Sequence, residues 1–222
     1  MRIAIAGAHG QIGLRLGRLL AARGDSVVGL VRNPDHVPDL AEAGVEGVVL
    51  DLEQPVMDPL AEAIEECDAV VFAAGAGPGS GAARKDTVDR GAAVLLAESA
   101  GLSGISRYLL VSSIGVDSVR DGAVPSGVDE VFLAYLRAKL AAEEALLKEK
   151  LDLTILRPGG LTNDAGTGRV TLAPNVDRGQ VTRDDVAAVL VALLDEPRTA
   201  GLVLGLTGGD VPIKEAVAAV CG

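Results

Sequence analysis

Short runs rich in Val, Ile, Leu and Ala alternate along this chain with longer amphipathic stretches. The runs are Ile3–Ala6, Ser26–Val31, Gly47–Leu50, Ala69–Ala73, Tyr108–Val111, Thr154–Leu156 and Leu202–Leu206. Each is bounded by Gly, Pro, Asp or Ser, and each reads as a strand buried on both faces. Between them the spacing predicts helices over Gln11–Arg23, Pro59–Glu65, Thr87–Ala100, Val128–Lys150, Asp184–Leu194 and Lys214–Val220. This order belongs to α/β folds in which helices cover both faces of a parallel sheet.

The chain has 222 residues, enough for one domain. We expect that domain to span 1–222, with a minimal substrate lobe made by loops near 115–127 and 159–181. Apolar residues make up 49% of the chain, yet there are only two Phe, two Tyr and no Trp. The core must therefore be packed from small and branched side chains, as between helices and parallel strands. A net charge of -11 argues against nucleic acid as a partner, because phosphate neutralisation needs clustered Lys and Arg. Cys67 and Cys221 form no disulfide or metal pattern. The first apolar run reaches a glycine after a few residues, so it reads as a strand and not a signal peptide. No later span is long enough for a membrane, and the cytoplasm is the expected compartment.

The opening segment reads Ile3-Ala4-Ile5-Ala6-Gly7-Ala8-His9-Gly10-Gln11-Ile12-Gly13. A tight turn after the first strand needs Gly7, Gly10 lets the backbone approach a pyrophosphate, and Gly13 lets the helix lie against the strand. The helix start then offers unpaired N–H groups and partial positive charge. Its place after a buried strand and before an amphipathic helix is the context that a dinucleotide-binding Rossmann domain requires. Gly7, His9, Gly10, Gln11, Ile12 and Gly13 are thus candidate cofactor contacts, with no catalytic role for His9. The second strand ends as Leu30-Val31-Arg32-Asn33-Pro34, without the carboxylate that an NAD site places there for the ribose 2′-hydroxyl. Arg32 instead offers a planar, permanently charged fork suited to a 2′-phosphate. The expected cofactor is NADP (NADPH) rather than NAD.

Taken together, these residues resemble the short-chain dehydrogenase/reductase superfamily, in particular its small atypical members of epimerase/dehydratase-like and NmrA-like type. The likeness rests on the Gly7–Gly13 loop, Val31-Arg32-Asn33-Pro34, Asp51-Leu52, Phe72-Ala73-Ala74-Gly75, Val111-Ser112-Ser113, Tyr135-Leu136-Arg137-Ala138-Lys139 and Leu156-Arg157-Pro158-Gly159. It implies that Asp51 and Leu52 flank the adenine, that Ala74 and Gly75 line the ribose, and that Pro158 and Gly159 bound the nicotinamide pocket. The chain departs from the family pattern in carrying His9 where relatives often have Thr or Asn. It also lacks the large C-terminal domain that sugar-nucleotide epimerases of the superfamily use, so a nucleotide-sugar substrate is not expected.

Tyr135 and Lys139 are four apart and share one face of a helix. A phenol is a poor base at neutral pH, and a neighbouring ammonium favours the phenolate. The resemblance implies that Tyr135 exchanges a proton with a substrate oxygen, that Lys139 assists it and holds the nicotinamide ribose, and that Ser113 hydrogen-bonds the same oxygen. Ser112 is the alternative if the register shifts by one. The leading expectation is an NADP-dependent oxidoreductase acting on a small carbonyl or alcohol, a quinone or a flavin. The rivals are an epimerase or dehydratase with retained cofactor, and a non-catalytic NADP(H) sensor, against which Tyr135 and Lys139 count. A small-molecule substrate is the expected partner, with no nucleic acid or membrane, and the chain is expected to be a monomer or homodimer. The substrate pocket is expected between the Gly75–Gly81 loop, the Gly115–Gly127 segment (a candidate lid) and the Gly159–Gly168 loop. Asn163 and Asp164 are candidates to face it, Arg169 and Arg178 read as solvated, and Thr182 reads as the cap of a helix that begins with Asp184 and Asp185.

Overall fold

Period-two alternation along the first strand sets the architecture. In β1 (Arg2–Ala6), Ile3 and Ile5 point to one side and Ala4 and Ala6 to the other, and all four are fully buried. One side is covered by α1 (Gln11–Ala22), α7 (Arg183–Leu194) and α8 (Ile213–Ala219), through Leu16, Leu20, Leu190 and Val217. The other is covered by α3 (Met57–Ile64), α5 (Ala93–Leu102) and α6 (Glu130–Leu146), through Leu60, Ile64, Leu96 and Leu146. The computed structural model describes residues 1–77 and 79–222. Pro78, within the Gly75–Gly81 loop expected beside the substrate, lies outside them.

The remaining strands are β2 (Ser26–Val31), β3 (Glu46–Val49), β4 (Ala69–Phe72), β5 (Arg107–Val111), β6 (Asp152–Pro158), β7 (Gly160–Thr162), β8 (Arg169–Ala173), β9 (Gln180–Thr182), β10 (Val203–Gly208) and β11 (Val211–Pro212). The main sheet runs β11-β8-β10-β6-β5-β4-β1-β2-β3. Its parallel part, from β3 to β10, consists of the seven strands expected from sequence. The nine-stranded count corrects the expectation of about seven: β8 pairs antiparallel with β10, and β11 antiparallel with β8. A separate pair is made by β7 and β9. Strand order reverses between β1 and β4, and a doubly wound sheet of Rossmann type opens its ligand crevice at that switch point.

Two helices escape the sequence pattern. One is α2 (Val37–Glu42), a six-residue helix behind the Pro34–His36 turn. The other is α4 (Ala82–Arg84), which runs through a π-helical segment, Lys85–Ala92, into α5. The expected Val128–Lys150 helix is shorter, because the Asp129 side chain accepts the Phe132 N–H at 2.9 Å and caps α6 there. At the sheet's far end Arg107 is buried, and its guanidinium donates to the carbonyls of Asp152 and Leu193 and the hydroxyls of Thr154 and Thr199. It joins β6 to the last turn of α7.

Candidate functional site

The glycine turn is built by close approach. Gly7 has φ +78°, and a Cβ there would stand 2.6 Å from the Ala74 Cα, so the β1–α1 turn packs on the end of β4. A Cβ on Gly13 would press on the Gly7 carbonyl oxygen and lie 2.9 Å from the Ala8 Cα. The Gly10 N–H donates to the Gly7 carbonyl at 2.9 Å, which closes the turn. Gly10 is the N-cap of α1 and offers no side chain, and the first turn holds no acidic residue. The leading amides of α1 therefore present their positive end to the crevice, with room for a phosphate against them.

A cavity of about 320 Å³ opens from this turn over the ends of β2, β3 and β4. Arg32 lies on its rim with 54% of its side chain exposed and donates to Glu53 Oε2 at 2.8 Å. Arg84 donates to the same oxygen at 2.8 Å, and the Thr87 hydroxyl donates to Oε1 at 2.7 Å. The Arg84 hydrogen bond holds the Glu53 carboxyl below the ordinary carboxylate range, against the opposing effect of burial. Two guanidinium groups thus share the Glu53 carboxylate, and the Asp51 carboxylate stands on the same cavity. His9 pairs with Asp39 at 2.7 Å and stacks on His36 with ring centroids 3.6 Å apart. Leu52 and Asp51 line the cavity, and one Asp51 carboxylate oxygen accepts the Glu53 N–H of its own turn at 3.1 Å.

A second cavity of about 1010 Å³ meets the first at Gly10, Ala73 and Gly75. Ser113, Tyr135 and Gly159 line it, and Gln11 and Ile12 border it at the start of α1. The Ser113 hydroxyl turns to the Ile114 carbonyl at 3.1 Å. Tyr135 is half-buried and stacks on Phe132 at 5.7 Å between centroids. Lys139 lies deeper: its ammonium donates to the carbonyls of Val111 at 3.0 Å and Ala74 at 3.3 Å, and stands 3.2 Å from Asp89 Oδ1. That last approach is an ion pair without the angle of a directed hydrogen bond. Asp89 Oδ2 accepts the Ala76 N–H at 3.2 Å.

The structure does not bring every expected residue to these cavities. Successive residues of an extended chain face opposite ways, so Ser112 turns from Ser113 and donates to buried Glu143 at 2.5 Å. Glu143 in turn pairs with Arg157, and Arg157 with Asp117. Pro158 lines neither cavity, and its carbonyl accepts the Ile114 N–H at 3.0 Å. Asn163 accepts from Arg183 at 3.0 Å, and Arg178, read as solvated, lines the larger cavity. The sequence reading missed Lys85, Asp89, Arg84 and Glu53. Lys85 and Asp89 are spaced by one helical turn, a signal hidden among the charges of 84–90 because nothing local marks which face is buried.

A family model described as NAD(P)H-binding matches residues 7–197. The chain belongs to the NAD(P)H-binding family. It is 37% identical over 218 residues to YhfK of Bacillus subtilis, called an uncharacterized sugar epimerase, covering 98% of this chain and 99% of that one. Among solved structures it superposes with a TM-score of 0.89 on a Bacillus halodurans protein for which an NAD-dependent epimerase/dehydratase activity has been suggested. That pair is 35% identical, over 99% of this chain and 100% of the other. ChuY, an anaerobillin reductase of Escherichia coli O157:H7, gives a TM-score of 0.80 at 29% identity, over 95% and 98% of the two chains. The chain is thus a small NAD(P)-binding protein of epimerase/dehydratase-like type with oxidoreductase neighbours. Among the described residues no helix is long and apolar enough to cross a membrane, and no group of three or more His, Cys, Asp or Glu is placed to hold a metal ion.

Proposed function

We propose that this chain is an NADP-dependent oxidoreductase acting on a small carbonyl, alcohol, quinone or flavin substrate, with Tyr135 as proton donor. The observation that carries this reading is the shared wall at Gly10, Ala73 and Gly75. The cavity that holds Tyr135 and Ser113 continues there into the cavity beneath Arg32. A dinucleotide fits that path: Gly7 and Gly13 leave no room for side chains, and the uncapped start of α1 suits a pyrophosphate. The forked guanidinium groups of Arg32 and Arg84 at the rim suit a 2′-phosphate, which supports NADP over NAD.

The bound cofactor would supply the hydride. In the reducing direction the Tyr135 hydroxyl gives its proton to the substrate oxygen as charge builds there, and the Ser113 hydroxyl donates a hydrogen bond to the same oxygen. Ile114, Val131, Phe132 and Leu161 give the cavity an apolar lining that suits a flat unsaturated acceptor. We take the working unit to be a monomer or homodimer in the cytoplasm that needs no macromolecular partner. The names of two relatives favour a second reading, epimerisation or dehydration with retained cofactor.

The test is NADPH oxidation against a panel of carbonyls, quinones and flavins. Turnover should fall at least about 100-fold in Tyr135→Phe, the usual scale for a positioned general acid. Cofactor that co-purifies and shows no net turnover with any acceptor would favour the second reading.

A further inference from the structure

Two ammonium groups approach the Tyr135 ring, and their surroundings differ. Lys139 Nζ is 5.9 Å from the ring centroid and Lys85 Nζ is 5.5 Å from it, both within cation–π range. An ammonium has three donors. Lys139 donates to the Val111 and Ala74 carbonyls and forms an ion pair with Asp89, and that pair is sealed, with Lys139 4% and Asp89 0% exposed at the side chain. Its charge is cancelled within 3.2 Å. Lys85 is also buried, but it donates to a neutral carbonyl, Gly77 O at 2.8 Å, and among the described residues no carboxylate pairs with it. Lys85 lines the larger cavity beside Tyr135, whereas Lys139 does not. The other charged groups on that cavity are Asp89, Asp129, Arg178 and Arg183. The Asp129 carboxylate accepts from the α6 backbone.

We infer that Lys85, presented from the π-helical segment, is the positioning residue that sets the charge state of Tyr135, while Lys139 and Asp89 act as a neutral strut joining α6 to that segment. The inference rests on the proposed role of Tyr135 as proton donor. Lys85 supplies an uncompensated positive charge beside the ring, in a place sheltered from solvent. That charge favours the phenolate left when the proton moves to the substrate oxygen. Lys85 and Asp89, four apart on the π-helical segment, both line the larger cavity, and such windings concentrate at functional sites.

The chain's tyrosine content makes this testable without substrate or cofactor. Of its two tyrosines, Tyr108 is fully buried, donates to the Ala93 carbonyl at 3.0 Å, and has its phenol pushed well up by burial. The rise of phenolate absorbance with alkaline pH therefore reports Tyr135, and its loss in Tyr135→Phe verifies that. Lys85→Met should move the midpoint up by about one pH unit, the scale of a nearby charge. Lys85→Arg, which stays charged throughout, should restore it. The double variant Lys139→Met/Asp89→Asn removes no net charge and should leave the midpoint in place. Lys85→Gln with a thermal-melting control serves if Lys85→Met does not fold. An unmoved midpoint in the Lys85 variants, or an equal upward move in the double variant, overturns the inference. If the wild type turns over no acceptor at all, the proposed function fails, while the titration still decides the role of Lys85.

Discussion

Gly13 shows how little room the cofactor turn leaves. A methyl group there meets only backbone, the Gly7 carbonyl and the Ala8 Cα, and neither can move aside like a flexible side chain. Gly13→Ala should cost about 1–3 kcal/mol by overpacking, read as a lower urea midpoint, with NADPH affinity falling alongside it. An unchanged midpoint and affinity would contradict the close approach. Asp89→Ala tests the buried pair from the other side: stranding the Lys139 ammonium should cost about 3–5 kcal/mol, and a loss under about 1 kcal/mol would contradict the sealed geometry. At this scale the glycines were legible because the turn demands that residue type at fixed spacing. Ser113 against Ser112 was decided by the pleat, which a strand buried on both faces does not reveal in its sequence. Lys85 and Asp89 owe their roles to partners such as Gly77 and Lys139, so no local pattern marks them.

Among the elements, α7 does more than cover the sheet. Thr182 caps it as expected, accepting the Asp185 N–H at 3.0 Å. Asp185 in turn is buried and accepts the Thr167 N–H at 3.0 Å, the Gly168 N–H at 2.8 Å and the Thr182 hydroxyl at 2.9 Å. The helix start therefore holds the loop that leads into β8. Asp185→Ala should destabilise the chain by about 2–4 kcal/mol, and Thr167 and Gly168 should lose amide-exchange protection first. Protection there equal to wild type would show that the loop is held otherwise. The seven parallel strands were legible because burial on both faces makes each a continuous apolar run. The elements missed lack that signature: β8 is a half-buried strand beside a glycine-rich loop, β11 has two residues, and α2 has six with Pro38 in its first turn.

At the scale of the molecule, pH links stability to ion pairs spread over the surface, one of them at the rim of the site. Arg84 holds Glu53, Arg90 holds Asp86 and Arg15 holds Asp184 below their ordinary values of 4.5, 3.8 and 3.8. Carboxyls lowered by folding add stability that is complete above the unfolded values and is lost as pH falls through the folded ones. The melting temperature should therefore stay level from about pH 8 to pH 5 and drop below about pH 4, with a shallower drop in Glu53→Gln. A melting temperature that rises on acidification would contradict those pairings. The strand order leads to the central claim. Reversal at β1 and β4 opens one crevice, and the uncapped start of α1 and Arg32 lie along it, ready for the anionic half of a coenzyme. Paired fluorescence titrations of NADPH and NADH on the wild type and Arg32→Ala test this most directly. NADPH should bind at least about tenfold more tightly than NADH, and Arg32→Ala should remove the difference by weakening NADPH alone. Equal affinities in the wild type, a preference for NADH, or binding of neither would contradict the account.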